Sequence, residues 1–181
     1  MSIETRLAVT ADIPQLETLI GLSTRALQAG YYSRSQIEAA LGTIFGVDSQ
    51  LIADGSYFVA HEGPVIVGCG GWSRRKTLYG GDRAKKGPDP LRDPSTEPAI
   101  IRAFFVHPGY ARRGIGRRIM ALCEEAAVAH GFKSIEIIAT LAGEPLYVAC
   151  GYESVERLDI ALPNGEAMPV VRMRRKQAAL G

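Results

Sequence analysis

The sequence predicts a mixed α/β fold: a single domain over residues 1–181 in which a mostly antiparallel sheet holds one adjacent parallel pair and is flanked by about four helices. Three observations carry that expectation. Residues 99–139 run as an apolar extended stretch, a glycine-rich turn, an amphipathic stretch and a second apolar extended stretch. A strand, helix, strand succession of this kind makes a parallel pair with a right-handed crossover. Two tight-turn signals, Glu62-Gly63-Pro64 and Pro163-Asn164-Gly165, each separate β-rich runs and read as antiparallel hairpins. Finally, 181 residues with 46% hydrophobic and 22% charged side chains have the size and composition of one globular core.

The elements follow in order. Ile3, Thr5, Leu7 and Val9 alternate with Glu4, Arg6 and Ala8, the period of a half-buried strand. Thr10 is placed to cap a helix with Pro14 in its first turn and Ile13, Leu16, Leu19 and Ile20 as its apolar stripe, ending near Gln28 before Ala29 and Gly30. Ser33 or Ser35 opens a short second helix carrying Ile37, Ala40 and Leu41. Tyr31 and Tyr32, between the two, cannot both face one core from a helix, so each is either a packed aromatic with a wet hydroxyl or a candidate substrate contact. Strands Tyr57–His61 and Val65–Trp72 form the first hairpin, and Gly68, Gly70 and Gly71 in the second mark close packing or the wall of a cleft. Trp72, at its end, is a third candidate substrate contact.

Residues 73–98, dominated by Pro, Gly and charge, read as a mobile surface loop. Ala99–Val106 is the next strand. Ile115, Ile119, Leu122 and Ala126 recur at helical spacing and Gly131 ends that helix. Ser134–Ala139 has the composition of a buried strand, and Gly143–Ala149 makes a short helix. Tyr152–Leu162 and Met168–Arg174 form the second hairpin. Arg172, Arg174, Arg175 and Lys176 give a basic end, with 175–181 as a solvated tail.

Composition excludes several classes. With 21 basic against 19 acidic residues the net charge is +2, too small to imply nucleic-acid binding. Cys69, Cys123 and Cys150 show no metal or disulfide spacing, and His61, His107 and His130 show no ligand spacing, so no metal is expected. The N-terminus lacks a signal-peptide core and no segment approaches the ~20 apolar residues of a membrane span. The expectation is a cytoplasmic protein.

Phe104 to Arg118, F-F-V-H-P-G-Y-A-R-R-G-I-G-R-R, holds the chemistry. A strand runs into a loop with Gly114 and Gly116 and then a helix, whose free first amides and macrodipole favour an anion. Arg112, Arg113, Arg117 and Arg118 crowd the same turn, which a purely structural glycine turn would not require. A P-loop needs Lys-Ser or Lys-Thr where Arg117 and Arg118 stand, and a dinucleotide fingerprint needs a third glycine that is missing.

With E-P-L-Y-V-A-C-G-Y downstream, the stretch V-H-P-G-Y-A-R-R-G-I-G-R-R resembles the GCN5-related N-acetyltransferase (GNAT) family. The resemblance implies a sheet splayed between its two adjacent parallel strands, with acetyl-CoA as acyl donor. The pyrophosphate would lie on Arg112, Arg113, Gly114, Ile115 and Gly116 with Arg117 beside them. The pantetheine arm would pair with the strand through Phe104, Phe105 and Val106. The family loop usually opens on Gln or Arg, where this chain has Ala111. Thr140 stands near where family members often have an asparagine.

Acyl transfer needs a neutral amine, a donor for the developing oxyanion and a proton for the departing thiolate. The resemblance implies the Val106 N–H as donor and Tyr147 as general acid, against a second reading of Tyr147 as a core aromatic. Glu97 is a candidate general base; His107 and a water relay are the alternatives. The expected activity is therefore acetyl transfer to a primary amine of a small molecule or an amino terminus, with no nucleic-acid or membrane partner and a homodimer allowed. A non-catalytic acyl-CoA sensor is the competing class, and a displaced Tyr147 would favour it.

Overall fold

The computed structural model describes residues 1–176 apart from Lys86 and Pro88. Its strands are β1 (Ile3–Leu7), β2 (Tyr57–Glu62), β3 (Val65–Ser73), β4 (Ala99–Val106), β5 (Ser134–Thr140), β6 (Glu153–Ala161) and β7 (Ala167–Lys176). Its helices are α1 (Ile13–Leu27), α2 (Arg34–Ala40), α3 (Ser49–Ala53), α4 (Ile115–Ala129) and α5 (Glu144–Ala149). The strands make one sheet in the order β1-β2-β3-β4-β5-β7-β6, in which only β4 and β5 run parallel.

Successive strand residues serve opposite faces, so the sheet divides two cores. Val59 and Val170 join Leu16, Leu19 and Ile37 on the α1 and α2 side. Ala60 and Val171 join Ile119, Cys123 and Tyr147 on the α4 and α5 side.

Local chemistry adjusts several expected boundaries. Thr10–Asp12 form a 3-10 turn, and Asp12 rather than Thr10 borders α1. The Asp12 carboxylate turns back to accept the Val9 N–H (2.8 Å) and both Arg6 terminal nitrogens (2.7 and 2.9 Å). Ser33, not Ser35, opens α2: its hydroxyl accepts the Gln36 N–H while the Gln36 side chain accepts the Ser33 N–H, a reciprocal capping box. Helix α3 was not expected; Asp48 caps it by accepting the Gln50 N–H. Strand β7 takes in Arg175 and Lys176. Its arginines are paired rather than merely solvated, Arg172 with Glu156 (2.9 Å), Arg174 with Glu136 and Arg175 with Glu124 (2.8 Å). The remainder of the expected tail, 177–181, lies outside the described residues.

The three glycines of β3 serve close packing. A Cβ on Gly68 would meet Ile115 Cγ2 at 2.6 Å, and one on Gly71 would meet the Ser56 carbonyl oxygen at 2.7 Å. Gly70 has a further role. Cys69 faces Phe105 and Gly71 faces Arg102, so Ala103 and Phe104 together stand against Gly70 alone. This is a β-bulge in β4, with Ala103 at φ +55° and the Phe104 ring where a Gly70 side chain would be. A bulge bends the strand that carries it. Pairing with β5 covers only Ala99–Ile101 against Ile135–Ile137, so beyond that point β4 and β5 part and a gap opens between them.

Segment 73–98 is tied down at several points. Arg75 grips Asp54 (2.7 and 2.8 Å), the Asp82 carboxylate accepts the Ser49 N–H (3.0 Å), and Arg102 donates to the carbonyls of Thr77 (3.3 Å) and Gly80.

Candidate active site

The gap is bordered by backbone that β4 has nowhere else to spend. His107 N–H donates to the Val67 carbonyl (2.9 Å), and Val106 stands opposite Gly68. Ladder groups of successive residues point to opposite sides of a strand. Val106 therefore turns its N–H and carbonyl away from β3, toward the gap.

At the same end, β4 passes through the 3-10 turn Pro108–Tyr110 into the loop before α4. Arg112 (φ +67°) and Gly114 (φ +80°) both adopt left-handed backbone, which costs a non-glycine residue energy and so marks a loop held in shape. Gly114 borders α4 without a side-chain cap, leaving the first-turn amides open. A Cβ on Gly116 would stand 2.9 Å from Leu146 Cδ2, so this glycine lets α4 and α5 approach. The arginines divide. Arg112, Arg113 and Arg117 are exposed, with the Arg113 guanidinium 4.9 Å from the Tyr110 ring centroid, whereas Arg118 turns away to the Ile3 carbonyl (2.7 Å). An exposed cationic loop over uncapped helix amides suits a pyrophosphate.

Between the parted strands lies a cleft of ≈ 80 Å³. Phe104, Phe105, Thr140 and Tyr147 all line it, joined by Gln28 from the end of α1 and by Arg102. The Tyr147 ring packs edge-on to Phe104 (6.4 Å) and Tyr152 (6.2 Å) and lies over Gly143, whose Cβ would come within 2.9 Å of it. Among the described residues its hydroxyl makes no hydrogen bond. Burial pushes its pKa up, so the phenol stays protonated. Tyr147 is thus a packed core aromatic with its polar end left over.

Other expected contacts lie elsewhere. Trp72 is 3% exposed and packs on His130 and Phe132 in the α4-side core, so it is no cleft residue. Tyr32 is also a core residue, its hydroxyl donating to the Pro169 carbonyl (2.6 Å) and accepting the Leu141 N–H (2.9 Å), which leaves little for a substrate. Tyr31 is exposed and does not line the cleft. Glu97 lies before β4, pairs with Lys76 and accepts the Asp93 N–H (2.7 Å). These partners, Lys76 foremost, hold its carboxylate below the usual range, and it too stands outside the cleft. His107 accepts the Gly109 N–H (3.0 Å), a turn-forming role.

Gln28 and Arg102 were missed by sequence reasoning. One ends an amphipathic helix and the other breaks an apolar strand, but only the sheet topology brings them together. No group of His, Cys, Asp and Glu able to hold a metal occurs among the described residues, and no helix there is long and apolar enough to cross a membrane.

Comparison with known proteins agrees with this geometry. The family model for the acetyltransferase (GNAT) family matches residues 23–152. No protein of curated function matches the sequence significantly. Among solved structures, a GCN5-related N-acetyltransferase from Rhodopseudomonas palustris superposes with TM-score 0.69 at 22% identity, covering 98% of this chain and 97% of that one. PaiA N-acetyltransferase from Thermoplasma acidophilum, in complex with coenzyme A, gives 0.66 at 14% identity over 98% and 100% of the two chains. YncA from Salmonella typhimurium, with its cofactor acetyl-CoA, gives 0.66 at 13% identity over 99% and 96%. At such identities the likeness is one of fold.

Proposed function

The chain belongs to the GNAT acetyltransferase family, and from that premise we propose that it transfers the acetyl group of acetyl-CoA to a primary amine, of a small molecule or an amino terminus, by direct attack. The observation that carries this reading is the meeting, at one cleft, of Tyr147, whose hydroxyl has no partner among the described residues, with Phe104 and Phe105 of the strand that the bulge parts from β5. A sensor that binds acyl-CoA without turnover would have no use for a protonated hydroxyl kept at that position.

Acetyl-CoA supplies an activated thioester. The open amides of Gly114, Ile115 and Gly116, with Arg112, Arg113 and Arg117, hold its pyrophosphate, and Phe104, Phe105 and Val106 with Thr140 border its acyl arm. The Val106 N–H donates to the carbonyl oxygen as charge develops there. The Tyr147 hydroxyl gives its proton to the departing sulfur as the new N–C bond forms and the C–S bond breaks. Among the described residues no Asp, Glu or His lines the cleft, so we assign the proton lost by the amine to water rather than to Glu97.

Supplying primary amines to the protein with acetyl-CoA is expected to release free thiol in step with amide formation. Thiol release that never exceeds the amine-free rate, from a protein that binds coenzyme A, would leave the sensor reading instead. For the loop, replacing Arg112 and Arg113 together with Ala should raise the Kd for coenzyme A by about tenfold or more, two charge-assisted contacts being lost, and leave pantetheine, which has no pyrophosphate, unchanged. Calorimetry distinguishes that outcome from an equal loss for both ligands, which would point to a collapsed loop.

A further inference from the structure

Resting on the acetyl-transfer reading, we propose that the acceptor is a small apolar monoamine whose primary amine donates a hydrogen bond to the Gln28 side-chain oxygen. Gln28 enters the cleft from α1, where its Nε2 donates to Thr140 Oγ1 (3.2 Å). Thr140 Oγ1 also accepts the Gly143 N–H (3.1 Å), which holds the Thr140 side chain in place. The Gln28 Oε1 is buried and has no partner among the described residues. A buried acceptor without a donor is costly, and a ligand that brings an N–H removes the cost.

The remaining walls define the body of that ligand. Beside Arg102 and Tyr79, the cleft is walled by the apolar side chains of Ile44, Phe45, Leu78, Ile160, Met168 and Val170. Among the described residues no carboxylate lines it to hold a second ammonium group. Arg102, the one cation lining it among the described residues, is occupied by Asp48 (2.9 Å) and by the carbonyls of Thr77 and Gly80, and so is poorly placed to take a substrate carboxylate. Contact with those apolar side chains, beside the Arg102 cation, disfavours an ammonium ion and favours the neutral amine. That is the nucleophilic form, and it arises here without a strong base. In the step itself one N–H stays on Gln28 while the nitrogen bonds to the acyl carbon. The nitrogen's surplus proton goes to water, the C–S bond breaks, sulfur takes the Tyr147 proton, and water returns a proton to the phenolate.

The test compares 2-phenylethylamine, spermidine and glutamate as acceptors for the full chain, with coenzyme A binding measured alongside. The expected result is a kcat/KM for 2-phenylethylamine about tenfold or more above either of the others. Gln28→Leu should lower that value by about tenfold, one buried hydrogen bond, with the Kd for coenzyme A unchanged. Gln28→Glu, which keeps an acceptor oxygen and can accept a hydrogen bond from the Thr140 hydroxyl, should restore most of it. Preferential transfer to spermidine or glutamate would overturn the proposal while leaving acetyl transfer intact. So would an undiminished Gln28→Leu, or a Gln28→Glu no better than Gln28→Leu. Transfer to none of the three by a protein that binds coenzyme A would count against the acetyl-transfer reading as well.

Discussion

Tyr147→Phe is expected to slow the chemical step about 100-fold, at the lower end of what general acid catalysis contributes, while leaving stability and coenzyme A affinity nearly unchanged. Both halves come from the same geometry. The ring holds the packing, edge-on to Phe104 and Tyr152 and over Gly143, and phenylalanine keeps it. The hydroxyl has no hydrogen bond among the described residues, so its removal strands no partner in the fold. What it loses, in the proposed mechanism, is the proton for the leaving sulfur. The reference values, about 10 for a phenol and about 8.5 for a thiol, already make that transfer uphill, and burial raises the phenol further, which is why the lower end of the range is expected.

The pH dependence has a definite sign. Burial, with nearby cysteine sulfurs as smaller contributors, raises the Tyr147 pKa, so the acid form persists through neutral and mildly alkaline pH. Any alkaline loss of rate below pH ~10 must then come from another group and should survive in Tyr147→Phe. Rapid mixing under single-turnover conditions reads the step directly. An unchanged rate would return Tyr147 to the role of a core aromatic.

Much of the scaffold around Tyr147 is legible in the sequence because its signals are local. The glycine-punctuated passage from Val106 into α4, the stripe of Ile115 and Ile119, and the Pro163-Asn164-Gly165 turn each specify backbone within a few residues. Helix α3 escaped notice because five residues are too few to display a period. Thr10 and Asp12 are both good capping residues, yet Asp12 borders α1 without a side-chain cap, because its carboxylate is held by the Val9 N–H and by Arg6 of the preceding strand.

The cleft divides in the same way. The glycine-rich loop before α4 and Tyr147 each lie in a local motif. Trp72 and Tyr32 do not separate from cleft aromatics in sequence, since a large ring with a polar end looks alike whether that end meets the Pro169 carbonyl or a substrate. The bulge that parts β4 from β5 is set by Gly70 on a neighbouring strand. Gln28 and Thr140 are 112 residues apart and meet only once the sheet is assembled.

The largest stability effect is expected where sequence is least informative, at Asp48. Its side chain is 1% exposed and pairs with Arg102, 2% exposed, at 2.9 Å, with Lys85 on its other oxygen. Burial pulls the Arg102 pKa down, against the Asp48 charge that chiefly supports its protonation. Removing one member of such a pair leaves a buried charge uncompensated, a loss of about 3–5 kcal/mol. Asp48 also caps α3 through the Gln50 N–H, which adds about 1 kcal/mol. Asp48→Ala should therefore cost about 4–6 kcal/mol in urea unfolding, enough to unfold a domain of ordinary stability. Adding Arg102→Met should recover a good part of it, because the stranded guanidinium is gone even though the Thr77 and Gly80 carbonyls lose their donor. The same carbonyls connect stability to the cleft, since Leu78, Tyr79 and Gly80 form part of its wall. The double variant, if folded, should bind coenzyme A normally yet discriminate poorly among amines. A cost for Asp48→Ala below about 1 kcal/mol, the range of exposed pairs, would mean that water reaches the pair and that the wall is held by its other tethers, Arg75 to Asp54 and Asp82 to the Ser49 N–H.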